Sequence, residues 1–564
     1  KRTEIYKEID KISYEASKLA APNEYDKMIS SLGAKYTNAY TSTDQTVYIN
    51  NIPSSELEKW MMVESERFQE LVLRLFHTEL EAVYEEFNRA QDNDGRKIYS
   101  AIFEKLFPNH HYSISTIGLG EHLKNPSMVK IHEFFDTYYV PNNVAICMSG
   151  DFDMSKTVRM IDQYFGSWES KDVPEWTFEK EEPITEPIEV EVFGSEAEQV
   201  AIAYRFEGAG SYDALMLNLM DNILQNGQAG LMDLNLIQKQ KILGGGAFQY
   251  AMNDYSIHQI RGQAREGQSL EEVRNLLLEQ IELIKKGEFS DWLIDAVIKD
   301  FKLSQLKGLE SNWPRTSALI SAFIEDQPWE KSVAFLDDSS KITREDVIKF
   351  ANEHYNDNYV VVYKRNGEDT KKETTKVEKP PITQIELNRE SQSAFYKEFD
   401  KKESGRLNPM FLDYKSEIAE SELAAGVPFY YIHNELNATF SLSYILDMGN
   451  YHNKKFGLAV EYLPYLGTDK YTAEQLQEEF YKLGLSFGVN TSYDRTYVTL
   501  SGLEESLEEG VALFEHILTN AKPDEKALKD MIDGVLKQRE DAKLNKNKIF
   551  WNGLYNYARF GPES

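Results

Sequence analysis

Two stretches of this chain recur later in it, and that repetition limits the folds open to it more than any single motif does. Residues 131–146 (Ile-His-Glu-Phe-Phe-Asp-Thr-Tyr-Tyr-Val-Pro-Asn-Asn-Val-Ala-Ile) align with 347–362 at an offset of 216 positions, and Phe134/Phe350, Tyr139/Tyr355 and Asn142/Asn358 coincide. Residues 43–49 (Thr-Asp-Gln-Thr-Val-Tyr-Ile) align with 493–499 at an offset of 450. The helix after them keeps that offset, with Leu57 opposite Leu507. The copies share helix–strand order and apolar positions, so chance is a poor explanation.

Local patterning fills in the units. Residues 4–20 read as an amphipathic helix with Ile5, Ile9, Ile12, Ala16 and Leu19 on one side. Segments 33–41 and 45–50 read as strands joined at 42–44. Helices are expected at 55–68, 77–91 and 127–138, and a strand at 143–148. Glu181-Glu-Pro-Ile-Thr-Glu-Pro187 separates a first unit, 1–180, from a second, 181–370. The charged stretch from Asn366 to Pro381 reads as part of an exposed linker, 371–410, into a third unit, 411–564. The chain thus holds two near-complete αβ units and most of a third.

Composition excludes several partners. With 41% hydrophobic and 27% charged residues the chain is ordinary globular material. Its net charge of −31 argues against nucleic acid and against anionic lipid, since both bind basic surfaces. The one cysteine, Cys147, rules out a disulfide framework and reads as a small apolar packing residue. No run is long enough for a transmembrane segment. The chain opens at Lys1-Arg-Thr-Glu and stops at Gly561-Pro-Glu-Ser564 in mid-pattern, so it reads as a piece of a longer polypeptide, with N- and C-terminal parts of the same protein as its partners.

The segment His77-Thr-Glu-Leu-Glu-Ala-Val-Tyr-Glu-Glu-Phe-Asn-Arg-Ala-Gln-Asp-Asn93 draws attention on chemical grounds. Leu80, Val83, Tyr84 and Phe87 form one helical stripe, while Glu79 and Glu86, seven residues apart, return to nearly the same face. Two readings fit: a solvated helix edge, or a carboxylate that binds a divalent metal beside one that supports it.

Taken together, three stretches resemble one known family. They are Leu32-Gly-Ala-Lys-Tyr-Thr-Asn-Ala-Tyr-Thr-Ser-Thr-Asp-Gln-Thr-Val-Tyr48, the acid helix from Glu79 to Asn93, and the helix–strand–Gly-Asp ending at Asp151. Gly230-Leu-Met-Asp-Leu-Asn235 and Leu243-Gly-Gly-Gly-Ala247 agree with them. The sequence resembles the pitrilysin and insulin-degrading-enzyme family of inverted zinc metallopeptidases, in its bacterial four-unit form. The resemblance implies an α+β fold of tandem homologous αβ-roll units, each a mixed, mostly antiparallel sheet packed against helices. It implies a zinc metalloendopeptidase that hydrolyses peptides or small unfolded proteins, with Zn2+ as cofactor. By position Glu86 is the third zinc ligand and Glu79 a supporting acid. The strand edge Asn38, Ala39, Tyr40 and Thr41 corresponds to the family's peptide-accepting edge. Bacterial relatives are often exported, which points to the periplasm or cell envelope.

One departure is serious. The family's H-x-x-E-H motif, which supplies two histidine ligands and the general base, occurs nowhere in these 564 residues. Family order puts it upstream of Lys1, separated from Tyr25 by an inserted helix that the chain retains, Lys1–Leu19. In the third unit the equivalent position reads Leu458-Ala-Val-Glu-Tyr462, a degenerate copy in which Glu461 reads as structural. The piece is therefore expected to be inactive alone. The alternative is a non-catalytic peptide-binding or assembly subunit of the same family. Other features carry less: Gly244-Gly-Gly246 reads as a turn, His110-His111-Tyr112 as a packed loop, and Asp151 and Asp153 as helix caps.

Overall fold

The computed structural model describes residues 2–73, 75–123, 126–368, 382–385, 390–407, 409–424 and 426–563. They separate by contact into two compact units, one of Lys1–Asn93, Asn109–Lys180 and Lys371–Glu417, the other of Asp94–Pro108, Glu181–Thr370 and Ile418–Ser564. Of the 371–410 linker, positions 371–381, 386–389 and 408 lie outside the described residues.

The first unit is built on a hairpin. Strands β1 (Tyr36–Thr41) and β2 (Thr46–Asn51) pair antiparallel, closed by a Ser42 N–H to Gln45 C=O bond of 2.9 Å. The helices Glu24–Ser31 and Leu57–Gln69 form a small core from Met28, Ile29, Leu32 and Val63. Phe399 joins that core from the helix Ala394–Lys401, so the stretch read as a linker contains a packed helix. The helix Arg2–Ser17 forms as expected, yet Ile5 and Ile12 stand exposed, so its apolar side meets no core among the described residues.

The second unit holds a five-stranded sheet in the order β3-β7-β4-β6-β5. Its strands are β3 (Ile188–Gly194), β4 (Gln199–Glu207), β5 (Gly244–Ala251), β6 (Tyr255–Gln263) and β7 (Tyr359–Asn366). Only β3 and β7 run parallel. The helices Leu270–Lys286 and Arg344–His354 bury Leu277, Ile281, Val347 and Phe350 against Val200, Ile202 and Tyr204 of the sheet. Gly244-Gly-Gly246 is not a turn; it opens β5. At Gly245 a Cβ would come within 2.8 Å of the Arg261 carbonyl, so glycine lets β5 lie close to β6.

The helix Asp94–Leu106 also belongs to this unit, packed on β7 and β3 with Ile98, Phe103 and Leu106 buried. Gly194 makes room for it, because a Cβ there would overlap the Asp94 carboxylate. Further on, β8 (Ala419–Leu423) and β9 (Val427–Tyr431) form an exposed hairpin. Strands β10 (Thr439–Leu446), β11 (Leu485–Thr491) and β12 (Thr496–Leu503) form a sheet in the order β10-β12-β11. The helices Ala473–Lys482 and Leu507–Asn520 close its core.

The repeats share local features at fixed offsets. Ser492 N–H bonds the Arg495 carbonyl at 2.8 Å, 450 positions after the Ser42–Gln45 turn. The 3-10 turns Ser54–Glu56 and Glu504–Ser506, and the helix starts at Leu57 and Leu507, keep that offset. Ser127 and Thr343, 216 positions apart, both cap their helices with side-chain oxygens. One expected element is missing. Residues 144–149 form no strand, although their counterparts lie in β7. β7 has β3 and β4 on its two edges, whereas no described strand lies beside 144–149, and a ladder needs a partner.

Candidate functional site

The helix Phe76–Gln91 presents its acids to solvent. Tyr84 is buried, with its ring 6.2 Å from that of Phe87. Phe87 packs so closely on the short helix Gly120–Leu123 that a Cβ on Gly120 would lie 2.8 Å from the ring. The opposite side carries Glu79, Glu81, Glu85 and Glu86, all exposed. Glu79 and Glu86 are separated by about 10.5 Å along the axis. Among the described residues neither carboxylate has a hydrogen-bond or ion-pair partner.

The strand edge is open as well. All six residues of β1 are exposed, and among the described residues β1 pairs only with β2. Bonded and non-bonded pairs alternate in an antiparallel hairpin. The Ser42–Gln45 bond therefore directs the amides of Tyr40 and Asn38 toward β2, leaving Thr37, Ala39 and Thr41 facing the free edge. The Ala39 N–H is held locally, donating to Asn38 Oδ1 at 2.9 Å. Asn38 Nδ2 in turn donates to the Tyr36 hydroxyl at 2.7 Å. The acids and the edge thus lie in one compact unit, and among the described residues no hydrogen bond or ion pair joins Glu79 or Glu86 to that edge.

Sequence reasoning missed a buried polar network beneath the hairpin. Glu64, on the helix Leu57–Gln69, is buried. Its Oε1 accepts from the Tyr25 hydroxyl at 2.9 Å and from Asn50 Nδ2 at 3.0 Å, and its Oε2 from Arg67 Nε at 2.9 Å. The Arg67 guanidinium lies over the rings of Tyr25 (4.5 Å) and Tyr48 (4.4 Å). The Tyr48 and Tyr139 hydroxyls meet at 2.9 Å. Burial, with the Glu64 charge, pushes the Tyr25 phenol up to about 12. Burial and the bond to Tyr48 raise Tyr139 too. The available signal was Glu64-x-x-Arg67, an ion pair at helical spacing beside apolar Val63, but spacing alone cannot say which charges are buried.

The remaining candidates show local contacts. His110 is buried, its Nδ1 accepting from the Tyr112 N–H at 3.3 Å and its ring edge-on to Phe178 at 4.8 Å, which fits a packed loop. Asp153 caps the helix Met154–Phe165 as expected. Leu458–Tyr462 lies on the helix Phe456–Tyr462, with Glu461 exposed. At the 450 offset, Glu79 and Glu86 correspond to Lys529 and Leu536 on the helix Glu525–Ala542, so the third repeat has lost the acid pair as well.

Comparison with known proteins fits this geometry. Residues 9–119 and 433–559 match the family model described as Insulinase (Peptidase family M16), and 128–301 match the Peptidase M16 inactive domain. The chain belongs to the insulinase-like M16 peptidase family. The zinc protease PqqE of Helicobacter pylori is 23% identical over 364 residues, covering 62% of this M16 chain and 80% of that protein. The crystal structure of a protease from Helicobacter pylori aligns with a TM-score of 0.57 at 21% identity, over 60% of this chain and 84% of that one. The periplasmic protease PqqL from Escherichia coli aligns with a TM-score of 0.53 at 17% identity over 92% of this chain, which spans 61% of the PqqL chain.

Zinc is implied by those relatives. A catalytic zinc takes three protein ligands and keeps a fourth position open. The M16 chain offers Glu86 on its acid helix, and H-x-x-E-H is absent from all 564 residues. That donor set does not fit a catalytic zinc on its own.

Proposed function

We propose that this chain is the peptide-holding part of an M16 zinc metalloendopeptidase acting on peptides or small unfolded proteins. In this reading Glu86 is its one direct zinc ligand and Glu79 a supporting acid, while the histidines and general base come from other parts of the same protein. The observation that carries the reading is β1, a strand exposed at every residue and, among the described residues, paired along one edge alone, which leaves the other to an extended chain. Strand addition bonds through main-chain groups, so Asn38 to Thr41 would accept many sequences. The Glu86 carboxylate, without a partner among the described residues, supports a role reserved for a metal. Taken alone, the chain is expected neither to hold catalytic zinc nor to cleave. The description of PqqL as periplasmic supports the cell envelope as its compartment.

The test is peptide cleavage by the full-length protein, with and without chelator, beside its Glu86→Gln variant. Chelator-sensitive cleavage that drops by about a hundredfold in Glu86→Gln is the expected result. Unchanged cleavage in the variant would remove Glu86 from the metal site. A second reading, a non-catalytic peptide-binding or assembly subunit, is favoured by the lost H-x-x-E-H and by the inactive-domain match at 128–301. Peptide binding without any cleavage by the full-length protein decides for it.

A further inference from the structure

The polar network under the first hairpin occupies the place where the third repeat keeps an apolar core. At the 450 offset Thr37, Tyr48, Asn50, Glu64 and Arg67 correspond to Phe487, Val498, Leu500, Phe514 and Ile517. Tyr25 corresponds to Leu476 at 451, the same shift that relates Gly33 to Gly484, both of positive φ, just before the hairpins. All six counterparts belong to one apolar cluster, five of them buried and Phe487 packed against it. The same backbone is thus filled by oil in one copy and by charge and hydroxyls in the other.

Stability does not account for the difference. Replacing a buried ion-pair network by well-packed apolar side chains is often neutral or stabilising. What the network supplies is direction. The hairpin β1–β2 has no buried residue in either strand, whereas β12 alternates buried and half-buried positions along its length. A strand with no buried face has little to fix its register, and a slip of one residue turns every side chain and amide over. Here Thr37 Oγ1 donates to Asn50 Oδ1 at 3.1 Å, and Asn50 donates onward to Glu64. Tyr48, opposite Ala39 across the ladder, is held between Arg67 and Tyr139. Polar bonds therefore tie both strands to the helix Leu57–Gln69.

We propose that Tyr25, Thr37, Tyr48, Asn50, Glu64 and Arg67 form a positioning network that locks the register of β1, so that the amides of Thr37 and Thr41 stay aimed at an incoming extended peptide. The inference rests on the reading of β1 as a peptide-accepting edge. The network takes no part in bond cleavage.

The test grafts the third repeat's side chains into the first. In the full chain, Tyr25→Leu, Thr37→Phe, Tyr48→Val, Asn50→Leu, Glu64→Phe and Arg67→Ile are combined, and Thr37→Val is made separately as a minimal change. Thermal unfolding, amide hydrogen exchange along β1, and fluorescence anisotropy are measured, the last with a fluorescein-labelled peptide of about ten alternating Val and Thr residues. The graft is expected to keep or raise Tm, while β1 amides exchange at least about tenfold faster and peptide affinity falls by about tenfold. Thr37→Val, which keeps the fold even if the graft does not, is expected to speed β1 exchange by about fivefold. Exchange and affinity within twofold of wild type in a folded graft, or in Thr37→Val if the graft is unfolded, would overturn the inference. A wild-type chain that binds no peptide would instead defeat the reading of β1 as a docking edge. The exchange measurement would then still decide whether the network holds the strand.

Discussion

Lys364 Nζ lies 2.9 Å from Asp94 Oδ2, with the lysine side chain wholly buried and that of the aspartate 1% exposed. The other carboxylate oxygen takes Lys97 Nζ at 2.9 Å, and the Glu196 N–H donates to Oδ2 at the same distance. Lys97 also bonds the Phe193 carbonyl at 3.1 Å. This cluster pins the start of the helix Asp94–Leu106 to β3 and β7. Replacing Asp94 by Asn leaves Lys364 buried without its counter-charge, so Asp94→Asn is expected to lower unfolding free energy by about 3–5 kcal/mol. Urea unfolding followed through the second unit checks it.

The same cluster sets a pH dependence. Burial raises the Asp94 carboxyl, but the bonds from Lys364, the Glu196 N–H and Lys97 outweigh it and hold the group below the usual aspartate range. Stability from Asp94 is thus fully present above the unfolded value of about 3.9 and is lost as pH falls through the lower folded value. Below about pH 4, wild type should lose stability with falling pH more steeply than Asp94→Asn does. Parallel acid titrations of the two proteins would refute this if their slopes coincide.

Two adjacent glycines should behave differently. A Cβ on Gly244 would meet nothing closer than Gln263 Oε1 at 3.6 Å. On Gly245 it would press on the Arg261 carbonyl at 2.8 Å and Ile242 Cδ1 at 2.9 Å. Gly244→Ala is expected to change stability by less than about 0.5 kcal/mol, and Gly245→Ala to destabilise by about 1–3 kcal/mol. Equal midpoints in urea would count against the close approach of β5 to β6.

The exposed acids should be silent in folding. Glu79→Gln and Glu86→Gln are expected to move unfolding free energy by no more than about 0.5 kcal/mol, since neither carboxylate holds a partner among the described residues. That separates chemistry from stability: an activity loss in the full-length protein could then be read as a loss at the metal.

At high pH, Tyr25 gives a further handle. Its phenol is held neutral to about 12 by burial and by the charge of Glu64. An unfolded tyrosine ionises near 10, so above that pH the unfolded state sheds its proton first and stability falls as pH rises toward 12. Tyr25→Phe should flatten part of that decline, which thermal melts across the range would show.

Much of this architecture was legible because it is local. The Ser127 and Thr343 caps, the Ser42–Gln45 turn and the helix starts at Leu57 and Leu507 are set by a few neighbouring residues and survive in both copies of each repeat. What escaped the sequence depends on distant partners. Residues 144–149 have the apolar pattern of a strand, but pattern cannot supply a neighbouring ladder. Gly244-Gly-Gly246 looks like a turn until β6 is seen lying against it. Phe399 is one aromatic in a charged stretch, and only the core around Met28 and Val63 gives it a role. At the candidate site, Glu86 and the β1 edge came from resemblance and from periodicity. The Glu64 network stayed hidden because five separate segments converge to make it.

The helix Asp94–Leu106 follows the acid helix in the chain yet buries Ile98, Phe103 and Leu106 on the sheet that carries β7. Each end of that connection is therefore rooted in a different compact body, and the two bodies part at residue 93 as well as at the Pro-rich junction near 181, so the stretch before that junction supplies pieces to both. Dissecting this chain at the junction would leave a greasy sheet bare in one piece and an orphaned amphipathic segment in the other, so both halves would be prone to clump.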